Sequence, residues 1–267
     1  MKTVISKDGT TIAYDQWGQG PAVILVSGAL QYRAFGQGML ELAELLSPYF
    51  TVIFYDRRGR GDSTDNTDTL SRALEREIED IEALIDEAGG SASLYGISSG
   101  GALAMEAAIA LPKKVKKLAV YEIPYNDDEA AKQSWKKYVT QLRELLDAGR
   151  KGDAVGLFMR FVGAPPEQVE GMRQTPMWPL FESIGHTLAY DHIVDLGEDA
   201  SVPVGRAAKV RVPTLVMDGS ASFPFMHPTA IALANAIPNA QHRTLEGQTH
   251  EVSAEALAPA LTEFFKD

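Results

Sequence analysis

The chain has 267 residues, enough for one large domain with a sizeable core, and its 45% apolar and 23% charged composition is ordinary for a soluble globular protein. Thirty-six acidic residues against 25 basic ones leave a net charge of −11; nucleic acid and anionic membrane both need a positive field, so neither is expected as a partner. The absence of cysteine excludes disulfides, thiolate catalysis and cysteine-based zinc or iron–sulfur centres.

Residues 3–6 and 11–17 read as two strands around the turn Lys7-Asp8-Gly9-Thr10. No apolar signal core precedes them, so the cytoplasm is the expected compartment. Pro21 to Val26 is a continuous apolar run, as a strand buried on both faces requires, and is far too short to span a bilayer. It ends in Ser27-Gly28-Ala29-Leu30, whose small members let backbone approach a site. Residues 37–47 carry leucines at helical spacing and stop at Pro48. Thr51 to Tyr55 is the next buried strand, and Asp56-Arg57-Arg58-Gly59-Arg60-Gly61 follows it; Asp56 and Arg58 are read as a turn network behind the sheet. An amphipathic helix over 70–88 ends at Gly89-Gly90, then come a short strand, a helix to about Leu111 and a strand over 117–122. This alternation predicts an α/β fold, a mostly parallel doubly wound sheet of about eight strands with helices on both faces. The rhythm breaks over 125–205, a helical stretch rich in methionine, aromatics and proline, and resumes with strand 213–217, a helix near 228–237, strand 240–245 and a last helix over 253–265. A core formed by 1–124 and 206–267, with a helical insertion at 125–205, is the expected division.

Chemistry concentrates at Gly96-Ile97-Ser98-Ser99-Gly100, where a strand meets a helix. G-x-S-x-G is the pattern of a nucleophile elbow, a tight turn that lifts a serine Oγ clear of the sheet. The same residues would also serve a plain glycine-rich turn with an N-terminal serine. A serine nucleophile needs a base, and of the five histidines His250 has the right place, on the loop after the last strand at the carboxyl edge of the sheet. His242 falls within that strand, and His186 and His192 fall in the insertion, where they could at most line a pocket. No phosphate loop, dinucleotide fingerprint or His-Glu-x-x-His motif is present.

Four motifs, Ser27-Gly28-Ala29, Asp56-x-Arg58-Gly59-x-Gly61-x-Ser63, the elbow and Gly247-Gln248-Thr249-His250, make the chain resemble an α/β-hydrolase-fold protein over essentially its whole length. The resemblance implies Ser98 as nucleophile, His250 as base, the backbone N–H groups of Ser99 and Ala29 as oxyanion hole, and a cap formed by the insertion. It implies no metal and no organic cofactor. The chain departs from the family at the acid. A Gly-x-x-Asp turn usually carries it after the seventh strand, and here the turn reads Gly219-Ser220-Ala221-Ser222. Glu122, at the end of the sixth strand, and Asp218, at the end of the seventh, are the two replacements, with a Ser–His dyad as a third option.

The expected substrate pocket takes Leu30 and Tyr32 from the loop after the third strand, Trp135, Phe158, Met177 and Trp178 from the insertion, and Phe223 from the loop after the seventh strand, with Phe225 and Met226 beside it. The expected activity is serine hydrolysis of an ester, lactone or similar acyl bond in a small, largely apolar molecule. A cofactor-free lyase or C–C bond hydrolase using the same serine and histidine, a peroxide-forming member, and a non-catalytic ligand-binding member are the alternatives. The sequence leaves monomer and homodimer equally open.

Overall fold

In the computed structural model, which describes residues 1–266, the apolar runs form the middle of one eight-stranded sheet. Strands β1 (Lys2–Ile5), β2 (Thr11–Trp17), β3 (Ala22–Val26), β4 (Thr51–Tyr55), β5 (Ala92–Ile97), β6 (Val115–Tyr121), β7 (Thr214–Gly219) and β8 (Ala240–Leu245) lie in the order β1-β2-β4-β3-β5-β6-β7-β8. The β1–β2 and β2–β4 pairs are antiparallel and every later pair is parallel. The expected class and strand number therefore hold.

Side chains alternate across the sheet with period two, and each set has its own helices. Val23, Leu25, Val52, Phe54, Tyr95 and Met217 pack beneath α1 (Gln37–Leu46) and α10 (Ala254–Lys266). Ile24, Val26, Ile53, Leu94, Val120 and Val216 face the other layer, formed by α2 (Ala73–Glu87), α3 (Ser99–Ala110) and α9 (Met226–Ala236). Strand β7 runs two residues past the predicted end, so Asp218 and Gly219 belong to the strand.

Between β6 and β7 the chain is helical, as its composition predicts: α4 (Glu129–Asp147), α5 (Lys151–Phe161), α6 (Pro166–Arg173), α7 (Trp178–Ile184), a π-helical turn at Tyr190–Asp195 and the short α8 (Val204–Ala207). Asp128 caps α4 by accepting from the Ala131 N–H at 2.9 Å. Pro166 opens α6 and a proline sits in the first turn of α7, where its missing N–H costs nothing. No helix among the described residues is long and apolar enough to cross a membrane.

Candidate active site

Ser98 joins β5 to α3 with φ 56° and ψ −133°, a conformation strained for any residue with a side chain. Both glycines of the motif are required by close approach: a Cβ at Gly96 would lie 2.4 Å from the Gly100 carbonyl oxygen, and one at Gly100 would lie 2.4 Å from that of Ser27. Ser99 is the first residue of α3, so its N–H has no acceptor inside the helix and the helix's positive end adds to it.

His250 lies on the loop after β8 and its Nδ1 is 2.8 Å from Oε2 of Glu122. Glu122 follows β6 with φ 46°, its backbone N–H held by the Met217 carbonyl, and its side chain is fully buried. The buried carboxylate is well supplied with donors: the Gly219 N–H gives a bond to Oε1 at 2.9 Å and the Ser222 hydroxyl one to Oε2 at 2.8 Å. Ser222, where the sequence lacks the expected aspartate, thus donates to the carboxylate that meets His250. The Tyr121 hydroxyl donates to the Thr249 carbonyl at 2.6 Å and the Ala221 N–H to that of Gln248 at 2.9 Å, fixing the histidine loop against the ends of β6 and β7. Asp218, the alternative acid, is not the partner of His250. Its position inside β7 turns the carboxylate toward α9 and β8, where it meets His227, His242 and Thr244.

Ser98, His250 and Ala29 line one cavity of about 850 Å³, walled largely by apolar side chains from the inserted helices and from the loop after β7. A family model described as the alpha/beta hydrolase family matches residues 23–234.

The chain belongs to the alpha/beta hydrolase family.

Among solved structures, this alpha/beta hydrolase is similar to an alpha/beta hydrolase from Sphaerobacter thermophilus, with 49% identity, 99% of this chain and 100% of the other covered, and a TM-score of 0.84. A thermophilic esterase from Thermogutta terrifontis matches at 21% identity over 99% of this chain and 97% of its own, with a TM-score of 0.71. The 2-hydroxy-6-oxo-6-phenylhexa-2,4-dienoate hydrolase of Rhodococcus sp. strain RHA1 matches at 18% identity over 100% and 99% of the two chains, also at 0.71. The last two likenesses are of fold.

The hydrolase brings only some of the expected pocket residues to the cavity. Trp135, Phe158 and Phe223 line it, with Phe225 and Met226. Four do not. Leu30, at φ 58°, turns into the core, and Tyr32 is buried with its ring edge-on to Phe35 at 4.7 Å. Met177 lies on the surface, and Trp178 is buried beneath the Arg173 guanidinium, 4.6 Å from the ring. Phe35, Phe161 and His192 take the vacated roles in the wall. His192 is buried, its Nδ1 is 2.8 Å from the Tyr138 hydroxyl, and burial pulls its pKa down to about 4, so a neutral imidazole faces the cavity.

The sequence reading also missed what the arginines after β4 do. Arg58 does hold the loop, through a two-point pair with Asp80, but Arg57 and Arg60 turn inward. Arg57 pairs with Glu77, Asp191 and Asp195, and Arg60 with Asp191, and both guanidiniums are buried. Asp191 also accepts from the Ser99 hydroxyl at 2.8 Å. Arg60 donates to the Gly28 carbonyl at 2.7 Å. That carbonyl shares a trans peptide with the Ala29 N–H, and the two point opposite ways, so Arg60 aims the Ala29 donor. Doubled basic residues after a strand gave no hint of this, because two of their acidic partners, Asp191 and Asp195, lie more than 130 residues away in the π-helical turn.

Proposed function

We propose that this alpha/beta hydrolase is a serine hydrolase of small, largely apolar esters, lactones or similar acyl compounds, working through an acyl-enzyme. The hydrogen bond between His250 and the buried Glu122 carries the reading. Ser98 Oγ attacks the acyl carbon and gives its proton to Nε2 of His250, the ring nitrogen that Glu122 leaves free. Glu122 keeps the ring oriented and stabilises the imidazolium. The N–H groups of Ser99 and Ala29 hold the tetrahedral oxyanion, with such donors typically worth about 3 kcal/mol each. The imidazolium protonates the leaving oxygen, a water deprotonated by His250 attacks the acyl-enzyme, and the acid departs as Ser98 regains its proton. In this reading the helices from α4 to α8 form a cap over the serine, and the protein acts in the cytoplasm on a small molecule without nucleic acid or membrane partners.

The Glu122 pair supplies His250 with a carboxylate although position 222 is serine, and this supports a catalytic over a ligand-binding reading. Intact mass after treatment with a fluorophosphonate at pH 7 tests the reading: one label per wild-type chain and none on Ser98→Ala are expected. Folded wild-type protein that takes no label would overturn it. Turnover of a vinylogous diketone with none of p-nitrophenyl acetate or butyrate would replace ester cleavage by C–C bond hydrolysis at the same serine.

A further inference from the structure

We propose that Asp218, His227 and His242 form a binding site for a divalent transition-metal ion of the zinc type, separate from the serine site. Asp218 sits in β7 with its side chain fully buried, and its partners are His227 Nδ1 at 2.8 Å, His242 Nε2 at 2.6 Å and the Thr244 hydroxyl at 3.1 Å. No lysine or arginine pairs with it among the described residues. A buried carboxylate needs its charge compensated; arginine does so at Asp80 and Asp191, and at Glu122 one imidazole and two further donors do. At Asp218 the compensation falls to two imidazoles, which are metal ligands when neutral.

The geometry suits an ion. One ligand atom from each residue lies within 4.8 Å of the others. The two rings meet different oxygens of the carboxylate, His227 Nδ1 at Oδ2 and His242 Nε2 at Oδ1. Ligands bound tetrahedrally at 2.0–2.1 Å stand about 3.3 Å apart, so each of these two contacts would open by well under an ångström to admit an ion between the carboxylate and the rings. The three residues come from three elements that already hold one another. His242 and Thr244 pair in register with Val216 and Asp218, which puts all four on one face of the sheet, and α9, which carries His227, packs on that face. The histidines are partly exposed, at 54% and 25%, so an ion can enter from solvent, and two nitrogens with one carboxylate oxygen leave a fourth position for water. The family resemblance implies no metal, and these three residues, at 218, 227 and 242, meet only in the fold.

The test is calorimetric titration of untagged protein with zinc chloride at pH 7.5, with cobalt(II) absorption spectra to report coordination. One equivalent bound with a micromolar or tighter Kd, a higher Tm with zinc, and affinity at least tenfold weaker in His227→Gln and His242→Gln would support the site. Binding only above about 100 μM, or binding that the two substitutions leave unchanged, would overturn it. His227→Gln alters an exposed side chain away from Ser98, so its fluorophosphonate labelling without metal is expected to match the wild type and shows that the variant is folded.

Discussion

At the scale of single residues, which carboxylate reaches His250 turns on where two adjacent strands end. Glu122 and Asp218 both stand at the carboxyl ends of neighbouring strands, and the sequence could not choose between them. The choice is made by β7 running through Gly219, which leaves Asp218 under period-two alternation and turns it to the α9 face, whereas Glu122 lies one residue past β6 at positive φ. Ser98 and His250 were legible because their signals are local: a glycine-framed turn, and a loop between the last strand and the last helix. Glu122→Gln keeps the shape and removes the charge, so turnover of p-nitrophenyl butyrate should fall about 10³–10⁴-fold while the far-ultraviolet spectrum is unchanged. The Ser222 hydroxyl is 2.8 Å from the very oxygen that His250 contacts. Adding Ser222→Asp to Glu122→Gln should therefore return turnover at least tenfold, and a double variant no faster than the single one would show that only position 122 can orient the ring.

At the scale of the element, the π-helical turn at Tyr190–Asp195 concentrates more consequence than its length suggests. Asp191, His192 and Asp195 project from it into the interior, and two buried arginines face three carboxylates: Glu77, Asp191 and Asp195. Arginine contacts hold Asp191 well below the usual carboxylate range, while burial and the neighbouring Glu77 charge push Asp195 well above it. Asp195 thus holds its proton to higher pH in the folded protein than in the unfolded chain. The unfolded chain gives that proton up above about pH 4, so Asp195 draws stability down as pH rises, by up to about 1.4 kcal/mol per pH unit. Asp195→Asn removes this slope, and its stability relative to wild type, read from urea melts, should grow as pH rises above about 4. His192 works in the opposite sense: neutral when folded, it lends stability that is lost as pH falls from about 6.5 towards 4. The sequence showed this stretch as helical but not which face turns inward, because aromatic residues sit on several sides of the inserted helices. Trp135 reaches the cavity, whereas Trp178 is buried in the core under the Arg173 guanidinium.

Across the whole molecule, the sheet was readable and its bracing to the inserted helices was not. Apolar runs announce buried strands one by one, and their alternation with helices fixes the class. Ion pairs spanning 131–138 positions leave no comparable mark. Those pairs join the loop after β4 to the π-helical turn inside the protein, so the inserted helices should not melt ahead of the sheet. The three tryptophans lie in β2, α4 and α7 and report on both parts. Urea transitions followed by tryptophan fluorescence and by far-ultraviolet circular dichroism should coincide. An earlier fluorescence transition would show that the helices unfold as a separate unit. The same bracing limits what can be exchanged between relatives. A chimera whose grafted helices lack a carboxylate at the place of Asp191 would release the Arg60 that fixes the Gly28–Ala29 peptide and, in the proposed mechanism, slacken the grip on the oxyanion, so that selectivity and rate acceleration would change together.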